Sequence, residues 1–134
     1  MLAPLGSINQ ITSRIIAAAI EVHRTLGPGL LESAYHACLL YESRLVGLKV
    51  ESDKKIAVVY KGIVLDCSYV LDLLVEGTVV VEIKCLGVVL PVHEAQLMTQ
   101  LKLANKPVGL LLNFNVPVMK DGITRKLNRQ ALEP

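Results

Sequence analysis

The stretch VVVEIKCLGVVL, Val79 to Leu90, decides how the chain folds. Glu82 and Lys84 stand two residues apart in a run that is otherwise apolar or glycine. The run has the composition of a buried strand, and a charge taken out of water there is costly unless a partner, an ion or a wet cleft compensates. Side chains alternate across a strand, so Glu82 and Lys84 share one face while Val81, Ile83 and Cys85 take the other.

Upstream, strand signals continue. Val50, Ile56, Val58 and Tyr60 lead into a turn at Lys61-Gly62, and Ile63–Cys67, Tyr69–Val75 and Val79–Cys85 form a meander. Asp72 interrupts the apolar segment YVLDLLV as Glu82 interrupts its own. The connection Glu76-Gly77-Thr78 decides whether the two acids meet. A three-residue loop pairs Asp72 with Glu82, whereas a two-residue turn sends them to opposite faces; Gly77 can supply the positive φ that the longer loop needs.

Downstream, Pro91 suits the first turn of a helix from Val92 to about Asn105, and Pro107 closes it before a buried strand, Val108–Phe114. A turn at Lys120-Asp121-Gly122 precedes a short strand, Ile123–Leu127. At the other end, Ser7 and Gln10 suggest a capping box, and Ile8, Ile11, Ile15, Ile16, Ala19 and Ile20 recur at helical spacing, predicting a helix from Ile8 to Thr25. The triplet Gly27-Pro28-Gly29 ends it, and a second helix runs to Val46 before Gly47. Helix, helix, meander, helix, strand predicts an α/β fold with helices on both sides of a mixed sheet.

A chain of 134 residues is expected to form a single domain over residues 1–134. Hydrophobic residues make up 52%, which leaves apolar surface to spare for a homo-oligomer contact. The net charge of +2 permits nucleic acid without demanding it, but Lys102, Lys106, Lys120, Arg125, Lys126 and Arg129 make the last quarter basic. Three scattered cysteines, Cys38, Cys67 and Cys85, argue for free thiols in a reducing compartment and against a zinc site. No secretory signal and no apolar run of about 18 residues is visible, so the expectation is a soluble, cytoplasmic protein with no membrane partner.

Two carboxylates beside each other repel, and a hard divalent ion, Mg²⁺ or Mn²⁺, is the usual remedy. Asp72, Glu82 and the Ile83 carbonyl are the candidate ligands, and Lys84 beside them would activate a water or stabilise charge on a phosphoryl oxygen. The blander alternative is a surface ion pair on an edge strand. Glu32, in the first turn of the second helix, is either a third acid over the sheet or a carboxylate favoured by the helix dipole. His93, Gln96 and Gln100 make a polar stripe that lines either solvent or a wet cleft.

These segments resemble a known family. G-L-L-E-S-A-Y, Gly29 to Tyr35, matches the signature of the GxxExxY protein family, a branch of the PD-(D/E)xK nuclease superfamily. YKG at Tyr60–Gly62, YVLDLLVEG at Tyr69–Gly77, VEIK at Val81–Lys84, HEAQL at His93–Leu97 and GLLLNF at Gly109–Phe114 extend the likeness in order along the chain. The resemblance implies a restriction-endonuclease-like core whose metal acids are Asp72 and Glu82, with Glu32 as an extra acid, Lys84 as the catalytic lysine and Gln96 as the glutamine of a Q-x-x-x-Y motif. Gln100 stands where that motif has tyrosine. Tyr35, His93, Gln100 and Arg125 are then the expected substrate contacts. The implied activity is Mg²⁺- or Mn²⁺-dependent hydrolysis of DNA, or of RNA as a lesser choice; the alternative is an inactive nuclease-fold module that binds nucleic acid or a protein.

Overall fold

The helical periodicity at the start of the chain yields α1, Leu5–Leu26, and α2, Glu32–Leu45, in a computed structural model that describes residues 5–132. The apolar positions of α1 (Ile8, Ile15, Ala18, Ala19 and Val22) are buried at helical spacing. Ser7 does not begin this helix as expected, because the helix already runs at Leu5. Gly27 and Gly29 both take positive φ, which breaks the helix and starts the next.

Five strands follow: β1 Val50–Tyr60, β2 Ile63–Val75, β3 Val79–Lys84, β4 Val108–Asn113 and β5 Ile123–Leu127, in sheet order β1-β2-β3-β4-β5. Helix α3, Pro91–Ala104, crosses between β3 and β4, which makes that pair parallel while the other three are antiparallel. The result is the expected α/β fold, a five-stranded mixed sheet flanked by three helices. One expectation fails: β2 is a single strand through Ser68 rather than two. The irregularity sits instead between Ala57 and Val59, where the register changes and the surplus residues of β2 bulge.

The β2–β3 connection has three residues. Glu76 and Gly77 both adopt positive φ, and Thr78 N–H closes the loop on Val75 O at 3.0 Å. Leu73 therefore pairs with Val81, Leu74 with Val80 and Val75 with Val79, so the next position sets Asp72 opposite Glu82.

Both sheet faces are packed. Leu73, Val75, Val81, Ile83, Leu110 and Leu112 lie against α1 and α2; Leu74, Val80 and Leu111 lie against Leu97 and Leu101 of α3. Gly109 allows α3 this approach, since a Cβ there would lie 2.8 Å from Leu97 Cδ1. Each fully buried Leu or Ile contributes about 1.5–3 kcal/mol. The sheet is thus fixed on both sides up to Lys84, where the polar side chains begin.

Candidate active site

The antiparallel ladder between β2 and β3 runs as far as Leu73–Val81, and beyond it the Asp72 carboxylate takes the place of a strand partner. Asp72 Oδ2 accepts the Ile83 N–H at 2.8 Å. The two strands part here, and the parting makes room for side chains that a continuous sheet would hold apart.

Glu82 faces the α3 side and is 7% exposed. Its Oε2 accepts a hydrogen bond from Gln100 Nε2 at 2.8 Å. Burial in the first place, and then the hydrogen bond and negative charge of neighbouring Asp72, push the Glu82 carboxyl up to about 8; the Gln100 bond and the Lys84 charge act in the opposite direction. No ion pair joins Glu82 to Lys84 among the described residues, so the reading of E-x-K as a surface pair fails. Lys84 is half-buried at the mouth of the site.

The N–H and C=O of one residue point to the same edge of a strand. Because Ile83 donates toward Asp72, its carbonyl is turned to the β2 side as well. The Lys84 carbonyl points the other way, where it accepts the Phe114 N–H at 2.9 Å. Glu32, Ser33, His36, Asp53 and Asp72 line a cleft of about 310 Å³. Glu32 is exposed at its rim, and its charge joins burial in raising the Cys85 thiol. Among the described residues no three His, Cys, Asp or Glu side chains form a metal cage, so Glu32, Asp72 and Glu82 are a pair with an outlying third acid.

Three residues here escaped the sequence reading. His36 Nε2 donates to the Asp72 carbonyl at 3.1 Å and lies 3.8 Å from Asp53 Oδ1. The signal for His36 was its position one helical turn after Glu32. Asp53 reaches the cleft from a positive φ that no motif announces. Buried Asn113, partner of Lys84 across the parallel ladder, accepts the Leu86 N–H at 2.8 Å and donates to Leu86 O at 2.9 Å, fixing the chain just beyond the lysine.

Other expected residues lie elsewhere. Gln96 is exposed, because the face of α3 that reaches the sheet carries Leu97, Gln100 and Leu101; Gln100, expected at the substrate, is the glutamine that touches an acid. His93 Nδ1 accepts the Leu90 N–H at 2.9 Å and so caps α3. Tyr35 is fully buried, stacked on Phe114 with ring centroids 4.5 Å apart, and its hydroxyl accepts the Leu30 N–H and donates to Gly27 O, which makes it a core staple of the glycine loop rather than a substrate contact. Arg125 pairs with Leu110, whose side chain faces α1, and its guanidinium bonds Asn9 on the side of the sheet away from Glu82. Lys126 is spent on Glu94 at 2.6 Å, so both Arg125 and Lys126 of the basic last quarter are engaged within the chain.

A family model described as PD-(D/E)XK nuclease superfamily matches residues 9–126. No match was found to a curated protein or to a solved structure.

Proposed function

The chain belongs to the PD-(D/E)XK nuclease superfamily, and from that premise we propose that it is a Mg²⁺- or Mn²⁺-dependent phosphodiesterase acting on DNA. The observation that carries this reading is the parting of β2 and β3, which leaves Asp72 beside a buried Glu82 with Lys84 on the same strand face.

The residues suit a divalent ion. Two carboxylates and a carbonyl leave room for the waters that Mg²⁺ retains, which an all-protein cage would not. Gln100 Oε1 is buried without a hydrogen-bond partner among the described residues, an acceptor awaiting a donor such as the Lys84 ammonium or a bound water. When bound, the ion supplies Lewis acidity toward a phosphoryl oxygen and a water.

The chain's own groups do the rest. Asp72 and Glu82, with the Ile83 carbonyl, hold the ion. Gln100 fixes the rotamer of Glu82. The Lys84 ammonium orients the attacking water or balances charge on the phosphate oxygens. Glu32 and His36 line the approach.

Purified protein with Mg²⁺ or Mn²⁺ should cleave some member of a panel of linear, nicked and branched DNA. EDTA and Asp72→Ala should each remove the cleavage, and Lys84→Ala should lower it by about 10²–10³-fold. Binding of the panel by the unaltered chain without turnover would replace this reading with that of an inactive module.

A further inference from the structure

We propose that the outer half of the β1–β2 hairpin is a dimerisation ribbon whose occupant is a second copy of this chain. Every residue from Val59 to Val70 is exposed, yet Val59, Tyr60, Ile63, Val64, Leu65, Tyr69 and Val70 are large and apolar. Their exposed fractions run from 38% for Tyr69 to 69% for Val64. For side chains of this size that amounts to roughly 700 Å² over both faces of the ribbon, so a contact that reaches the ~800 Å² per partner of a specific interface must wrap the ribbon rather than cover one face.

The ribbon has no cover of its own. β1 is the sheet edge, and β3 pairs with β2 only from Leu73 to Val75, so both edges of the ribbon are free beyond the cleft. A two-stranded hairpin is marginal alone in water, and an uncharged apolar edge invites pairing. Pairing places Ile56 beside Tyr69 and Tyr60 beside Ile63, and alternation adds Val58 to the same face. That stripe begins at Ile56, which packs on the core beneath α3, and runs outward from there.

Charge selects the occupant. From Ile56 to Val70 the only charged residues are Lys61 and Asp66, one of each sign. Among the described residues neither has an ion-pair partner in its own chain; Lys61 stands 5.4 Å from the Tyr60 ring centroid. A two-fold axis crossing the ribbon between them sets each Lys61 against the partner's Asp66, the self-complementarity that an isologous contact requires. Lys61 and, at the base opposite Val70, Lys55 are too few cations to track a phosphate backbone, which favours a second copy over nucleic acid.

The test reads mass and does not depend on nuclease activity. Light scattering or sedimentation of the full chain at micromolar concentration should give the mass of two chains. Ile63→Lys, at a site already 61% exposed, should give one chain with an unchanged far-ultraviolet circular dichroism spectrum and a melting transition that no longer rises with protein concentration. Lys61→Glu and Asp66→Lys should each weaken the dimer about tenfold or more, and the double exchange should restore it. An unaltered chain that runs as a monomer, a dimer that survives Ile63→Lys, or single exchanges without effect would overturn the proposal.

Discussion

Burial of Glu82 beside Asp72 has a consequence for stability that is readable without substrate. The Glu82 carboxyl titrates at about 8 in the folded chain against an ordinary value of 4.5, so between those pH values the folded state holds a proton that the unfolded state has lost. Stability must therefore fall as pH rises through this window, and the loss is complete above about 8. At about 1.4 kcal/mol per unit, the full shift corresponds to a loss of up to about 5 kcal/mol. For a chain of this length that is a drop in Tm of roughly 15–20 °C. Thermal unfolding in EDTA from pH 5 to 9, compared between the unaltered chain and Glu82→Gln, isolates the effect: the variant keeps an acceptor for Gln100 and cannot ionise, so its Tm should exceed that of the unaltered chain increasingly with pH. Millimolar Mn²⁺ should return the lost stability to the unaltered chain at pH 8 and leave the variant nearly unmoved. Parallel curves for the two proteins across the whole range would refute the reasoning.

Lys84→Ala should lower cleavage by about 10²–10³-fold while Mn²⁺ binding, followed by calorimetry, persists. Gln100→Leu removes the donor to Glu82 and should weaken Mn²⁺ about tenfold, whereas Gln96→Ala, on the exposed flank of α3, should leave the affinity unchanged. Tyr35→Phe should cost about 1–2 kcal/mol in urea denaturation through the lost bonds to Gly27 and Leu30, with activity per folded molecule unaltered. Gly109→Ala forces a methyl into Leu97 and should cost about 1–3 kcal/mol by the same measurement.

Much of the fold was legible because its signals are local. Proline and glycine marked the helix ends, and alternation marked Glu82 and Lys84 as neighbours on one face. The decisive register hung on the connection after Val75, and the sequence left the two loop lengths open; Glu76 and Gly77, both at positive φ, make the tight turn, and Thr78 stays outside the ladder so that Val75 pairs with Val79. What was not legible depends on packing between distant segments. Gln96 and Gln100 differ by one turn, and only the seating of α3 on Gly109 decides which of them reaches the sheet. Tyr35 looked functional because it closes a motif, yet its hydroxyl serves the glycine loop eight residues earlier. Asp53 enters the cleft through a left-handed backbone conformation that leaves no pattern along the chain, and His36 enters through a bond to a main-chain carbonyl, signalled only by its helical spacing from Glu32.

The most direct measurement is a crystal structure of the protein soaked with Mn²⁺, with data collected to reveal the metal's anomalous signal. A peak between the Asp72 and Glu82 carboxylates, within bonding distance of the Ile83 carbonyl, is the predicted result. A Glu82 carboxyl that stays bonded to Asp72, with no peak between the two at millimolar Mn²⁺, would contradict it.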